Sequence, residues 1–204
     1  MVGRAVRRIL DAALLPKSFY MGLSPGPGTV VPCTAFAGAA VAAPIIAQRY
    51  GGLFVGPNAQ AAAYNLAMAV VALMLAGGVS VMFLGVPAHG AYMLAYGDLA
   101  RDHRGTFVRM TKVCAASVCV RSLPDAASAA ALMMGHGPLP GMAAARLAFT
   151  AISCASLVKG AYLIGGILPR HVAPAFALSL AWSLVLGAVT ASATELTVAA
   201  LFVG

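Results

Sequence analysis

Residues 61–96 contain no Asp, Glu, Lys or Arg, and this stretch constrains the fold more than any other feature of the chain. At about 1.5 Å per residue, a helix over the whole stretch would exceed the roughly 30 Å hydrocarbon core of a bilayer. The chain has only 13 basic and 5 acidic residues among 204, whereas about a quarter of an ordinary soluble domain is charged. So few charges cannot cover a soluble globule. The sequence therefore predicts an integral membrane protein made of α-helices.

Apolar stretches separated by short polar or turn-forming segments recur along the chain. The predicted spans are residues 30–48, a part of 61–96, 107–134, 142–167 and 172–204. The long second stretch is expected to kink at Gly77-Gly78 or at Gly85-Val86-Pro87, because glycine pairs and proline interrupt helices, or else its end emerges from the bilayer. We expect an all-α bundle of five transmembrane helices over residues 29–204, preceded by a surface helix and linker over residues 1–28.

The N-terminal segment, residues 2–15, has the pattern of an amphipathic helix. Its apolar face is formed by Val6, Ile9, Leu10 and Leu14. This pattern is typical of a helix that lies in the membrane interface. The basic residues expected to contact anionic lipid headgroups are Arg4, Arg7, Arg8 and Lys17.

The formal net charge of +8 indicates membrane orientation rather than nucleic-acid binding. The basic residues lie between hydrophobic stretches and are not interleaved with aromatic residues. With five alternating spans, most of them fall on the side of the N-terminus. This predicts a cytoplasmic or matrix N-terminus and a C-terminus on the opposite side. The composition fits a bacterial inner membrane and a mitochondrial inner membrane equally well.

Three ionisable residues, Arg121, Asp125 and Glu195, lie within predicted spans. Each costs about 2.5–3.5 kcal/mol at a helix centre on an insertion scale. Arg121 and Asp125 share a helix face, and Arg146 and Glu195 are expected at a depth similar to that of Asp125. We therefore expect Arg121, Asp125, Arg146 and Glu195 to converge as a structural ion-pair cluster. The alternatives are an ion or proton path that uses Arg121, Asp125 and Glu195, and contact of these charges with partner subunits.

Motifs for catalysis or cofactor binding are lacking in the sequence. The cysteines lie within apolar stretches without a CxxC pair and are expected to be small buried side chains; they are Cys33, Cys114, Cys119 and Cys154. A haem held by His89 and His171 is a minor alternative, since it would require the two side chains to face each other at one height. We expect no catalytic residue, no metal ligand and no cofactor.

Three segments carry a further pattern. Residues 9–23 read ILDAALLPKSFYMGL, residues 104–127 read RGTFVRMTKVCAASVCVRSLPDAA, and residues 151–167 read AISCASLVKGAYLIGGI. Together with the five-span layout, including Pro124 within a span, they resemble the Yip family of Ypt/Rab-interacting proteins. The resemblance implies a non-enzymatic helical bundle without catalytic residues.

Two classes of function therefore remain. The first is a small structural or accessory subunit of a larger membrane complex, for example an energy-transducing one, or a Yip-like membrane-organising protein. Its expected partners are other membrane subunits and anionic phospholipids, with no nucleic acid. The alternative is a small transporter or channel component built on the intramembrane charges.

Overall fold

The computed structural model describes residues 2–23, 28–54, 58–82, 103–137 and 139–203, and its regular structure within these ranges is helical throughout. The helices are α1 (Val2–Asp11), α2 (Lys17–Met21), α3 (Val30–Tyr50), α4 (Ala59–Ser80), α5 (His103–Arg121), α6 (Leu123–Met133), α7 (Met142–Leu163) and α8 (Val172–Val203). Short 3₁₀ turns at Gly51–Phe54 and Pro169–His171 follow α3 and precede α8.

Four helical segments are long and apolar enough to cross a membrane, which indicates a multi-pass membrane protein. They are Val30–Phe54, Ala59–Ser80, Met142–Leu163 and Pro169–Phe202. The second of them continues through Gly77-Gly78 to Ser80. The other predicted interruption, Gly85-Val86-Pro87, lies outside the described residues, as does His89.

The predicted third span, residues 107–134, is divided into α5 and α6 and is not among these four segments. The division falls at Ser122, whose hydroxyl donates to the carbonyl oxygen of Val118 at 2.9 Å. Pro124 in the first turn of α6 has no amide hydrogen to donate to the carbonyl of Val120. Basic residues within α5 further lower its apolar character. By length and composition alone, the described residues therefore hold four candidate spans, and α5 with α6 is not one of them.

Two apolar clusters define the two ends of the bundle. The first, which we call the N-terminal end, joins α1 and α2 to Met110 of α5, Ile167 and Val172. The second, the C-terminal end, joins Ile46 of α3 to Val198 of α8 and to Ala69 of α4. Helices α3, α5–α6 and α8 therefore run in one direction, and α4 and α7 run in the other. Helix α1 and the last turns of α8 lie at opposite ends of the bundle.

Helices α3 and α4 form a closely packed antiparallel pair because glycine lies at their crossing. A Cβ atom added at Gly38 would collide with the backbone carbonyl of Leu73, and one added at Gly77 would collide with that of Thr34. Small residues allow helix backbones to approach in this way inside a membrane, where apolar burial alone does not drive helices together.

Helix α1 buries its apolar residues against the protein. Val6 belongs to the first cluster, with Ile9 and Leu10 packed against it, and the helix contacts α7 and α8. The predicted extension to residue 15 is wrong, since α1 ends at Asp11. Leu14 is consequently off the helix and exposed. The apolar face of α1 is used within the bundle.

The segment after α1 is held to α7 by two long-range hydrogen bonds. The Tyr20 hydroxyl donates to the Ser156 carbonyl at 3.0 Å, and Lys159 Nζ donates to the Leu15 carbonyl at 3.1 Å. Burial raises the pKa of Tyr20 above its ordinary value, and the hydrogen bond with Ser156 opposes part of that rise. The phenol therefore stays a neutral donor, and α2 is fixed at the N-terminal end of the bundle.

Candidate functional site

A cavity of about 430 Å³ lies between α3, the end of α4, α5, α6, α7 and α8 and reaches from the middle of the bundle toward its C-terminal end. Its α3 wall is mainly apolar and consists of Ala40, Val41, Pro44 and Ile45. The opposite walls carry three charged and five hydroxyl side chains, namely Arg121, Asp125, Arg146, Ser80, Ser122, Ser128, Thr190 and Thr194. This volume falls in the range of sites that hold small molecules.

Proline interrupts the helical hydrogen bonding on two sides of the cavity. Pro44 lies inside α3 and cannot donate to the carbonyl of Ala40, while Pro124 follows the division between α5 and α6. Irregular backbone at membrane depth is tolerated where it is buried in protein or lines a cavity. Both interruptions of the helical hydrogen bonding therefore lie beside the polar cavity, where irregular backbone is tolerated.

The mouth of the cavity is marked by an ion pair between α6 and α7. Arg146 Nε donates to Asp125 Oδ1 at 2.8 Å, a short charge-assisted hydrogen bond. Arg146 lies in the second turn of α7, near the C-terminal end of the bundle. Its side chain is 58% exposed and that of Asp125 is 29% exposed. The pair thus occupies the boundary between the cavity and its surroundings.

Arg121, the last residue of α5, lies about one helical turn deeper than Asp125. Its Nη2 donates to the Ser183 carbonyl at 3.4 Å, which is long for a hydrogen bond. Its Nη1 is buried and has no hydrogen-bond partner. Among the described residues no carboxylate lies within 4.0 Å of this guanidinium. The charged groups of the cavity, two arginines and one aspartate, therefore sum to +1.

Gly187 on α8 provides the space that the Arg121 side chain occupies. A Cβ atom added at Gly187 would lie 2.7 Å from Arg121 Nη2, so the guanidinium would have to move. Sequence reasoning missed this residue. A glycine within an apolar helix signals close packing without indicating which group approaches it.

Most hydroxyls of the cavity donate to their own helix. Hydroxyl donors with carbonyl acceptors four or three residues earlier are Ser80 to Ala76 at 2.9 Å, Ser122 to Val118 at 2.9 Å, Thr190 to Gly187 at 3.0 Å and Thr194 to Thr190 at 2.8 Å. The hydroxyl hydrogens are therefore used in bonds within the helices, and the hydroxyl oxygens can act only as acceptors toward other groups. The strongest donors of the cavity are therefore its arginines.

Glu195 does not belong to this group of charges, and the prediction that it would is wrong. Its Oε2 lies 3.7 Å from Nη2 of Arg49, and both side chains are more than half exposed, at 54% and 56%. Thr194 lines the cavity, and the next residue of a helix is rotated by about 100°. Glu195 therefore points away from the cavity, toward the end of α3, although its depth matches that of Asp125.

The cysteines are all free thiols. Cys114 and Cys154 are buried, as expected, but Cys33 and Cys119 are only partly so. The thiols of Cys33 and Cys119 interact with each other across α3 and α5. Cys154 Sγ lies 3.5 Å from the hydroxyl of Ser183, whose carbonyl accepts from Arg121. Sequence spacing could not indicate these pairings, because they join different helices.

The predicted headgroup-binding residues are exposed at the N-terminal end of the bundle. They are Arg4, Arg7, Arg8 and Lys17. Arg7 Nε lies 3.8 Å from Asp11 Oδ2 one helical turn away, in a pair that is open to solvent. Such exposed pairs contribute at most about 1 kcal/mol, so these basic groups stay available for other contacts.

Within the described ranges no three His, Cys, Asp or Glu side chains come together in a way that could hold a metal ion. Comparison with known proteins gives no family model, no curated protein and no solved structure that matches this chain, so the resemblance to the Yip family stays a prediction.

Proposed function

We propose that this protein is a non-catalytic membrane protein that crosses the bilayer five times and works as a small transporter or channel component. The observation that supports this function is the cavity that holds the Arg121 guanidinium without a carboxylate in contact. At membrane depth a charged side chain is tolerated when it is paired or faces a water-filled cavity. Water or a solute in the cavity would supply the surroundings that Arg121 needs.

In this proposal α5 and α6 together form the fifth crossing. They pack against α3 and α7 along the bundle. Their charged side chains Arg121 and Asp125 line the cavity, which lowers the cost of placing them in a bilayer. Membrane insertion would then not require this element to be as apolar as the other four.

The Asp125–Arg146 pair argues for a solute path rather than a proton relay. A relay needs a carboxylate that is free to exchange a proton, whereas Asp125 is held in a 2.8 Å hydrogen bond donated by the Arg146 guanidinium. In the proposed function this pair controls entry at the mouth, because its partly exposed side chains can separate without unpacking the bundle.

Cysteine accessibility tests the proposed function. In a background in which the four native cysteines are replaced by alanine, Ser128→Cys would place a thiol in the cavity wall, and Val185→Cys would place one on an exposed apolar face of α8. The reagent is a charged, membrane-impermeant methanethiosulfonate applied to proteoliposomes, which reacts with thiolates in water. We expect labelling of Ser128→Cys and none of Val185→Cys. If Ser128→Cys were labelled as little as Val185→Cys, a hydrated path through the cavity would be refuted.

A structural role as an accessory subunit is a second candidate, supported by the ion pairs that Asp125 and Glu195 form with arginines. Asp125 joins α6 to α7 through Arg146, and Glu195 joins α8 to α3 through Arg49. Such pairs fix helices relative to one another and need no transported solute. Stoichiometric copurification with other membrane subunits after mild detergent extraction would favour this role.

In both candidates the exposed basic residues of α1 and the following turn contact anionic phospholipid on the cytoplasmic or matrix face of an inner membrane. The support is their position together at one end of the bundle. An attraction of about 1 kcal/mol per basic residue near a charged surface makes such contacts cumulative. A double variant, Arg7→Glu with Arg8→Glu, should retain less phosphatidylglycerol or cardiolipin through purification. Unchanged lipid content would contradict this contact.

A further inference from the structure

We infer that the cavity binds a small organic monocarboxylate, with the carboxylate on the Arg121 guanidinium and the apolar body of the ligand against α3. This inference rests on the proposed function, because it names the class of solute that the same cavity would take.

The charge of the site selects a monoanion. Asp125 accepts from Arg146 at 2.8 Å, whereas Arg121 has no carboxylate within 4.0 Å among the described residues of the cavity. One positive charge in surroundings of low polarity stabilises one negative charge, and a second charge on the ligand would be buried unpaired. A planar guanidinium presents parallel N–H groups that match the two oxygens of a carboxylate.

The hydrogen-bonding groups of the site disfavour phosphate. Four of the five lining hydroxyls donate to their own helices and turn acceptor lone pairs toward their surroundings. A phosphate needs donors for several oxygens at once, and these acceptor oxygens would repel it. A carboxylate has only two oxygens, and the guanidinium can serve both.

The size and the α3 wall of the cavity favour an organic ligand over a halide. Ala40, Val41, Pro44 and Ile45 give an apolar surface opposite the charged walls. A chloride ion would fill a small part of about 430 Å³ and would leave that surface in contact with water. A ligand with an apolar body would remove the surface from water, which is favourable in proportion to the area buried.

Butyrate binding to the purified full-length protein in detergent tests the inference, with thermal unfolding and titration calorimetry as readouts. We expect butyrate to raise the unfolding temperature in a saturable way, as a ligand of the folded state does. At equal concentration chloride, phosphate and the uncharged analogue 1-butanol should have a smaller effect. Arg121→Met should weaken butyrate binding by about tenfold or more, since a charge-assisted hydrogen bond is lost. The control Arg49→Gln removes an arginine outside the cavity and should leave binding unchanged.

A second variant keeps the inference testable if Arg121→Met does not fold. Gly187→Ala retains the arginine but adds a Cβ atom 2.7 Å from its Nη2. The displaced guanidinium should bind butyrate more weakly, while Gly78→Ala, whose added Cβ meets nothing within 4 Å, should not change binding.

The outcomes separate the inference from the proposed function. Protection of Ser128→Cys from thiol labelling by butyrate would support both. Labelling of Ser128→Cys without any butyrate binding would overturn the monocarboxylate and leave the transport function standing. Stronger stabilisation by phosphate or chloride than by butyrate, or unchanged binding in Arg121→Met, would also overturn it. An unlabelled cavity thiol would refute the proposed function.

Discussion

Asp125 and Glu195 are both carboxylates in the C-terminal half of the bundle, yet their surroundings differ. Asp125 accepts a 2.8 Å hydrogen bond from Arg146 and lines the cavity near a second arginine. Glu195 lies 3.7 Å from Arg49 with most of its side chain exposed. The two arginines are similarly exposed, so the shorter distance and the smaller exposure of the Asp125 carboxylate, 29% against 54%, decide which pair stabilises the fold more.

Neutralising the two carboxylates should therefore have unequal effects on stability. Asp125→Asn would remove the charge that compensates Arg146, and we expect the free energy of unfolding to fall by about 1–2 kcal/mol. Glu195→Gln should cost less than about 1 kcal/mol, as for other exposed pairs. Denaturant unfolding in one detergent would measure both variants. Equal losses would contradict the different roles assigned to the two pairs.

At the level of the helices, close packing depends on glycine at single positions. The crossing of α3 and α4 leaves no space for a side chain at Gly38 or Gly77. The neighbouring Gly78 has open space around its position, although it lies in the same helix and the same run of sequence. Adjacent glycines of α4 thus contribute differently because only one of them faces α3.

Substitution of these glycines by alanine should separate packing from helix propensity. Gly38→Ala pushes two backbones apart, and we expect a loss of about 1–3 kcal/mol or more, as for other overpacked sites. Gly78→Ala should be neutral or slightly stabilising, because alanine favours helix by roughly 0.8–1.0 kcal/mol over glycine. Thermal unfolding in detergent would compare the two. A similar loss in both variants would show that the α3–α4 crossing is not as close as described.

For the molecule as a whole, the direction of each helix fixes where the chain begins and ends. Residues of α1 and α2 share a cluster with the start of α8, whereas the end of α8 packs with the end of α3. The stacked rings of Tyr50 and Phe202, 4.9 Å apart, lie at this second end. The two termini are separated by the length of the bundle.

Tags at the two termini should consequently be accessible from opposite sides of the membrane. The N-terminal tag is expected on the cytoplasmic or matrix side, where the basic residues of α1 lie, in keeping with the preference of basic residues for that side. Protease digestion of sealed vesicles, with and without permeabilisation, would measure this. Two tags on one side would mean that α5 and α6 do not cross together.

The sequence by itself determined the membrane class and the helical ranges. Long apolar stretches with few charges place α3, α7 and α8 close to the predicted residues, because the cost of charge in lipid is set locally along the chain. The same local reasoning singled out four charged residues, since charges are rare in such stretches, namely Arg121, Asp125, Arg146 and Glu195. The same reasoning predicted too long a helix α1, because the apolar periodicity continues past Asp11, where the helix ends.

Only the tertiary structure decided which of these charges meet. Residue spacing gives the depth of a side chain along its helix, but the rotation of each helix about its axis follows from packing against its neighbours. That rotation turns Asp125 toward Arg146 and Glu195 toward Arg49, and it brings Gly187 against Arg121. The cavity and its uncompensated arginine result from contacts between helices far apart in the sequence, so no local pattern could encode them.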